Sequence, residues 1–309
     1  MVDRAVSPAD VAVTPKISSM RKLMQRKSTI AFLMTLPLIL IIGILVVYPA
    51  FYAMHLATLN KAMTKFVGFG NFLFLFKRET FWMVVEQSCI FAISAVIFKA
   101  LIGFFVAHFV HAIPAKGQRK WRGMLLVPWV IPPAMSTLAW FWLFDPSYSA
   151  LNWLLERMGF EAIAWLGDYG WARFCVILVN IWYGAPFFMI MYLAALKSVP
   201  EQLYEAAEID GANWWQRLWY VTLPMMRNII AITVMFSLIV TFANFDIVRV
   251  LTAGGPIDKT HVFATWSFLL GIQGGDIPLG AAVSLFMLPI LGVAAIFILR
   301  DVNKRGNES

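Results

Sequence analysis

Apolar positions along the chain gather into six long runs separated by shorter polar stretches: Ile30–Met54, Val84–Val110, Met124–Phe144, Phe174–Leu196, Asn228–Val248 and Ile277–Leu299. An α-helix needs about 20 residues to cross the hydrocarbon core of a bilayer, and each run reaches that length. The first run follows Arg21, Lys22, Arg26 and Lys27, the kind of start that a signal peptide also shows. The apolar region of a signal is only about 7–15 residues long. This run continues past Val46, so it reads as a retained span. Between spans, Phe72–Lys77 and Leu151–Met158 carry apolar residues at short or helical spacing. They are expected to lie flat at the membrane surface as amphipathic pieces. Pro128, Pro132 and Pro133 are expected to kink the third span.

Composition sharpens this pattern. Hydrophobic residues make up 61% of the 309, charged residues only 14%, and the mean hydropathy is +0.74. A soluble domain runs at about 45–50% apolar and about 25% charged. A soluble enzyme is excluded, and so is a disordered chain, which needs the opposite balance. The net charge of +8 would suit nucleic acid in a soluble protein. Here its placement gives a different account. Sixteen basic residues fall in the N-terminal tail, the second-to-third and fourth-to-fifth connections and the C-terminal tail, against eight in the other loops. The positive-inside bias therefore puts both termini in the cytoplasm, and nucleic acid is not needed as a partner. Trp82, Trp140, Trp142, Trp153, Trp165 and Trp171 fall at the opposite, outer interface. Lys99 alone lies inside a span, and its long stem is expected to carry the amine toward the cytoplasmic interface. Cys89 and Cys175 show neither metal spacing nor a disulfide framework, and the four histidines are scattered. No metal site is expected.

The fourth-to-fifth connection, 197–227, is the longest on the cytoplasmic side. Ser198 and Glu201 have capping-box spacing, which predicts a helix starting there, with Pro200 in its first turn. Glu201, Glu205 and Glu208 follow at helical intervals. Gly211 can take the left-handed conformation that ends a helix. A second short helix then carries Trp214, Trp215, Leu218 and Trp219, and Pro224 is expected to break it before the fifth span. The result is a helix–turn–helix finger whose aromatic surface suits docking to another protein, or an amphipathic pair on the inner leaflet.

A polar solute crossing the spans needs hydrogen-bonding partners there. Asn180, Tyr183, Gly184 and Phe187 share one face of the fourth span, as do Ser237, Val240, Thr241 and Asn244 on the fifth. Pro186 lacks the N–H that would bond the carbonyl of Trp182. Asp246 follows near the outer end of the fifth span. Each polar group equally suits an interhelical bond of about 0.6 kcal/mol.

Glu205-Ala206-Ala207, then Gly211, then Val221-Thr222-Leu223-Pro224 resembles the EAA signature of bacterial ABC importer permeases. Val221 stands where isoleucine is usual. Ile209–Ala212 and Trp215-Gln216-Arg217, with Phe66–Phe72 and Leu251-Thr-Ala-Gly-Gly-Pro256, resemble the carbohydrate branch, in its MalF-like or UgpA-like half. The resemblance spans nearly the whole chain after residue 25. It implies an all-α integral membrane fold: a cytoplasmic tail at 1–29, a six-span permease domain at 30–299 and a second cytoplasmic tail at 300–309. It implies a bacterial inner-membrane subunit that translocates a sugar or sugar-like solute by alternating access. Its partners would be a second, MalG-like six-span permease, two cytoplasmic ATP-binding subunits and an extracytoplasmic solute-binding protein. Glu205, Ala206, Ala207, Gly211, Leu223 and Pro224 would couple the chain to the ATPase. Asn180, Gly184 and Ser237 match sugar-lining positions in residue type. Tyr183, Phe187, Val240, Thr241 and Asp246 occupy such positions with other residues, which implies a solute other than simple maltose. No Gly-Lys dipeptide occurs, so the chain has no phosphate-binding loop. Catalytic residues and cofactors are therefore not expected in this chain, and ATP with Mg belongs to the partner subunits. The alternatives are an ion-coupled secondary transporter working without an ATPase and an integral membrane enzyme. The first calls for several ionisable groups at mid-membrane, where only Lys99 comes close. The second calls for clustered His or Asp motifs, which do not occur.

Overall fold

The computed structural model describes residues 27–147 and 149–306, and among these every regular segment is helical. Five helices are long and apolar enough to span a membrane: 31–57, 79–112, 169–198, 214–251 and 277–298. The basic residues expected in the tail before residue 27 lie outside the described residues. So do the last three residues of the tail at 300–309. Its earlier part continues the helix of the last span to Gly306.

The chain divides into two units at Tyr52. In the first, α1 (Lys27–Ile42) carries Pro37, and a π turn at Gly43–Val47 leads into α2 (Tyr48–Ala57), whose Tyr48 and Tyr52 rings stack at 6.1 Å. In the second, α3 (Gly70–Phe76) precedes α4 (Glu79–Ala112), the longest α-helix. α5 (Ala115–Leu125) fills the predicted second-to-third connection, and the predicted third span, Met124–Phe144, is divided into the end of α5, α6 (Val127–Val130) and α7 (Pro133–Leu143). The physical reason is the proline spacing: Pro128 and Pro133 each sit in the first turn of a new helix, where a missing N–H is harmless. The expectation of a kinked continuous span thus becomes two breaks. Leu151–Met158 largely forms α8 (Ala150–Arg157), capped by Ser149 Oγ, which accepts from Asn152 N at 3.1 Å.

α9 (Tyr169–Ser198) packs along α4 more extensively than any other pair of elements. Gly103 makes this possible, because a Cβ there would overlap Phe188 Cβ. α10 (Glu201–Ile209) and α11 (Trp214–Arg217) form the finger, and a π turn at Leu218–Thr222 joins it to α12 (Leu223–Phe242). Then come α13 (Asp246–Leu251), α14 (Phe263–Phe268) with a π turn at Leu269–Gln273, α15 (Ile277–Leu285) and α16 (Met287–Gly306). Three apolar clusters hold the second unit together. One joins α4 to α14 and α15 through Phe81, Ala92 and Trp266. Another joins α4, α9 and α12 through Val96, Phe188, Tyr192 and Met226. The third packs Phe91 and Phe144 against Cys175, Val179 and Ile247. Cys175 is buried there and Cys89 half-buried, both as free thiols.

Candidate solute cavity and coupling finger

α4, α9 and α12 are all apolar helices, and where they meet their few polar residues turn toward one another. Water is scarce there, so each polar group needs a protein partner. Lys99 Nζ donates to Asn180 Oδ1 at 2.9 Å and to Thr241 Oγ1 at 2.7 Å, and the Thr241 hydroxyl donates on to Ser237 O at 2.6 Å. One amine thereby ties three helices. The expectation that Lys99 reaches toward the interface is overturned: it is only 4% exposed. Its stem passes over Gly184, where a Cβ would overlap Lys99 Cδ. The missing side chain on α9 is what lets the amine reach Asn180 instead of leaving the protein.

Seven of the eight predicted solute-site residues come together here. Asn180, Tyr183, Gly184, Phe187, Ser237, Val240 and Thr241 line one cavity of about 50 Å³, with Lys99, Trp129, Phe236 and Asn244. Asp246 is not among them. It starts α13 and is exposed. Asn244 Oδ1 accepts from Ile247 N at 3.3 Å, holding the start of that helix. The aromatic rim is continuous: the Phe187 ring lies 5.7 Å from Trp129 and 5.3 Å from Phe236. Trp129 comes from the broken third segment and Phe236 from the fifth, one helical turn from Val240. Helical-face reasoning within single spans had no means of finding Trp129. Lys99 did have a signal, as an ionisable residue inside an apolar run.

The finger is built much as its sequence requires, with two corrections. Ser198 does not cap α10. It remains the last residue of α9, its hydroxyl donating to Ala195 O at 2.7 Å, and α10 starts after Pro200 with no side-chain cap. Extended backbone at Val199 and Pro200 separates the two helices, since a residue before proline is steered away from the helical region. The capping box instead forms at Asn213 and Gln216, whose side chains accept from each other's backbone N–H at 2.9 and 2.8 Å. Second, Pro224 breaks nothing. The π turn ends with Leu223 N bonded to Leu218 O, and Pro224 falls in the first turn of α12, so helical backbone runs on from the finger into the span.

Gly211 behaves as expected. Its φ is +77°, Gly211 N bonds Glu208 O at 3.0 Å and Ala212 N bonds Ala207 O at 2.9 Å. This pair of bonds is the Schellman arrangement that satisfies the last carbonyls of α10. Tyr204 Oη and Thr222 Oγ1, 3.0 Å apart, pin α10 to the π turn. Glu208 and Arg217 face each other at 3.5 Å across the exposed tip. Glu205, Ala206, Trp214, Trp215 and Trp219 are exposed. Ala207 is half-buried, and Leu223 and Pro224 lie at the base, at the start of α12. Behind the finger, a cavity of about 550 Å³ is lined by His108, His111, Lys197, Tyr204, Trp214 and Arg217, among others. Lys197 Nζ donates to Gln118 Oε1 at 2.7 Å, which ties the base of α9 to α5.

Comparison with known proteins places this geometry. The Trehalose/maltose transport system permease protein MalF of Thermococcus litoralis is 29% identical over 269 residues, covering 85% of this chain and 90% of its own. The Sulfoquinovosyl glycerol transport system permease protein SmoG of Agrobacterium fabrum is 28% identical over 275 residues, covering 87% and 89%. Among solved structures, a chain of a bacterial ABC transporter involved in the import of the acidic polysaccharide alginate shares the fold. Its TM-score is 0.79 at 24% identity, with 93% of this chain and 99% of that one covered. A second structure shows the bacterial alginate ABC transporter in complex with an alginate pentasaccharide-bound periplasmic protein, with a TM-score of 0.78 at 24% identity, covering 91% and 96%. The family described as binding-protein-dependent transport system inner membrane component matches residues 99–304, and this chain belongs to that family as an ABC importer permease in the membrane.

Proposed function

We propose that this chain forms half of the translocation pathway for a carbohydrate or sugar-like solute, and that a partner permease, two ATP-hydrolysing subunits and an extracytoplasmic binding protein complete the importer. The observation that carries this reading is that the finger and the polar cavity share their helices. α9 enters the finger, α12 leaves it, and these two supply most of the cavity lining. The names of relatives support the solute class, since they include trehalose/maltose, galactooligosaccharide, diacetylchitobiose and sulfoquinovosyl glycerol permeases.

In this reading Glu205, Ala206, Ala207 and Gly211 seat the finger in a cleft of the ATPase, while Leu223 and Pro224 set its angle to α12. The exposed Trp214, Trp215 and Trp219 add apolar area to that contact. ATP and Mg act in the partner subunits, where hydrolysis takes place; this chain moves solute and breaks no bond. Asn180, Tyr183, Phe187, Ser237 and Thr241 offer amide, hydroxyl and ring surfaces to sugar hydroxyls, and Asp246 stands at the outer approach. α6 and α7 form a broken third crossing after the cytoplasmic α5, which makes six spans over 30–299 with both termini cytoplasmic.

The test is reconstitution of the complete importer in liposomes. ATP-dependent saccharide uptake is expected, with Asn180→Ala and Tyr183→Ala raising the apparent KM while co-purification stays intact. Saccharide uptake by this chain alone, without an ATPase, would overturn the reading in favour of an ion-coupled carrier.

A further inference from the structure

We propose that the solute carried through this cavity is anionic: a saccharide or sugar derivative bearing a carboxylate, sulfonate or phosphate that pairs with the Lys99 ammonium. The inference rests on the solute-pathway reading above and narrows it.

Lys99 lies 13 residues from the end of α4 at Ala112, about 20 Å along the helix axis. Its amine turns into the protein instead, onto Asn180 and Thr241. Its ammonium has three donors. Asn180 Oδ1 and Thr241 Oγ1, both neutral, accept two of them; among the described residues no other group takes the third, and Lys99 lines the cavity. Among the described residues no carboxylate comes within 4.0 Å of Nζ, and the cavity lining contains no Asp or Glu. A buried charge is normally neutralised by a partner of opposite sign, because desolvation is costly. Within that radius the described residues supply two oriented dipoles and no carboxylate.

A tie between helices alone would not need the charge, since a glutamine amide can also donate to Asn180 and Thr241. Gly184 shows that the packing makes room for the longer residue, because any side chain there would overlap the lysine stem. A bound anion would supply the missing charge at the third donor. The aromatic faces of Trp129 and Tyr183 on the same wall would cover the sugar ring beside it. Charged residues within membrane segments commonly mark a substrate pathway.

The experiment uses the complete importer with its binding protein in proteoliposomes, with maltose, digalacturonate, glucose 6-sulfonate and glucose 6-phosphate as probes. Uptake of at least one anionic probe is expected. Its apparent KM should rise at least about tenfold in Lys99→Gln and much less in Lys99→Arg, as befits loss of a charged hydrogen bond. Uptake of maltose alone overturns the anionic assignment and leaves the saccharide reading standing. Uptake of no probe overturns both. Anion uptake with an unchanged KM in Lys99→Gln also overturns it. Should that variant not assemble, carbodiimide coupling of digalacturonate to the wild-type complex decides. An amide on the Lys99 amine supports the proposal, and an unmodified Lys99 in a complex that transports the probe overturns it.

Discussion

Gly184 and Gly254 make the same kind of packing at two places, each leaving space that a larger neighbour fills. At Gly184 the neighbour is Lys99. Gly184→Ala should push the amine off Asn180 or Thr241, lowering stability by about 1–3 kcal/mol, the usual effect of overpacking. A thermal midpoint measured on the purified protein reads this directly, and solute uptake should fall with it. At Gly254, φ is +96° and an added Cβ would overlap the His261 ring. That imidazole is buried, with Nδ1 3.0 Å from Thr265 Oγ1 and Nε2 3.5 Å from Asp258 Oδ1. Burial holds its pKa below the ordinary 6.5, Asp258 opposes the shift, and Arg249 adds to it. A depressed folded-state value means that stability is full above about 6.5 and is lost as the pH falls through the folded value. The thermal midpoint should therefore decline between pH 7 and pH 5, and His261→Gln should flatten that decline.

Turns and breaks at the ends of helices decide what the finger is. Gly211 uses a left-handed conformation that costs other residues about 1–2 kcal/mol. Gly211→Val should loosen the junction between α10 and α11 and reduce uptake per ATP hydrolysed, measured on the reconstituted importer. Much of this element was legible beforehand. The helix, the glycine turn and the tryptophan helix all follow from local spacing. What local spacing misjudged were the ends. Ser198 and Glu201 fit a capping box, yet the helical backbone of α9 carries on through Ser198. Pro224 fits a break, yet a π turn shifts the hydrogen bonding so that proline falls where no donor is needed. In both places a long neighbouring span overrides a short local signal. The cavity followed the same rule. Face reasoning found the residues on α9 and α12. It misplaced Lys99, because the glycine that admits the lysine lies 85 positions further along the chain. Trp129 went unnoticed because its place depends on two proline breaks.

At the scale of the whole molecule, the six apolar runs correspond to five continuous helices and one divided segment. If that segment crosses the bilayer, its two ends must face opposite solutions. In a background with Cys89 and Cys175 replaced, an impermeant maleimide added outside should label Ser147→Cys in intact cells. It should reach Gly117→Cys only after permeabilisation. Labelling of both from outside would remove the sixth crossing.

The π turn below α12 has a mechanical consequence. From Trp214 to Phe242 the backbone is helical without a break. Thr222 and Thr241 therefore sit on one rod, about 28 Å apart at 1.5 Å per residue. On the other side, α9 meets the finger through two extended residues, Val199 and Pro200. The two arms of the finger thus differ in backbone continuity. In the coupling reading proposed above, a push on the tip would pass into α12 along continuous helical backbone and into α9 only through those two residues. Lys99 bonds Asn180 on α9 and Thr241 on α12, so it bridges the two paths.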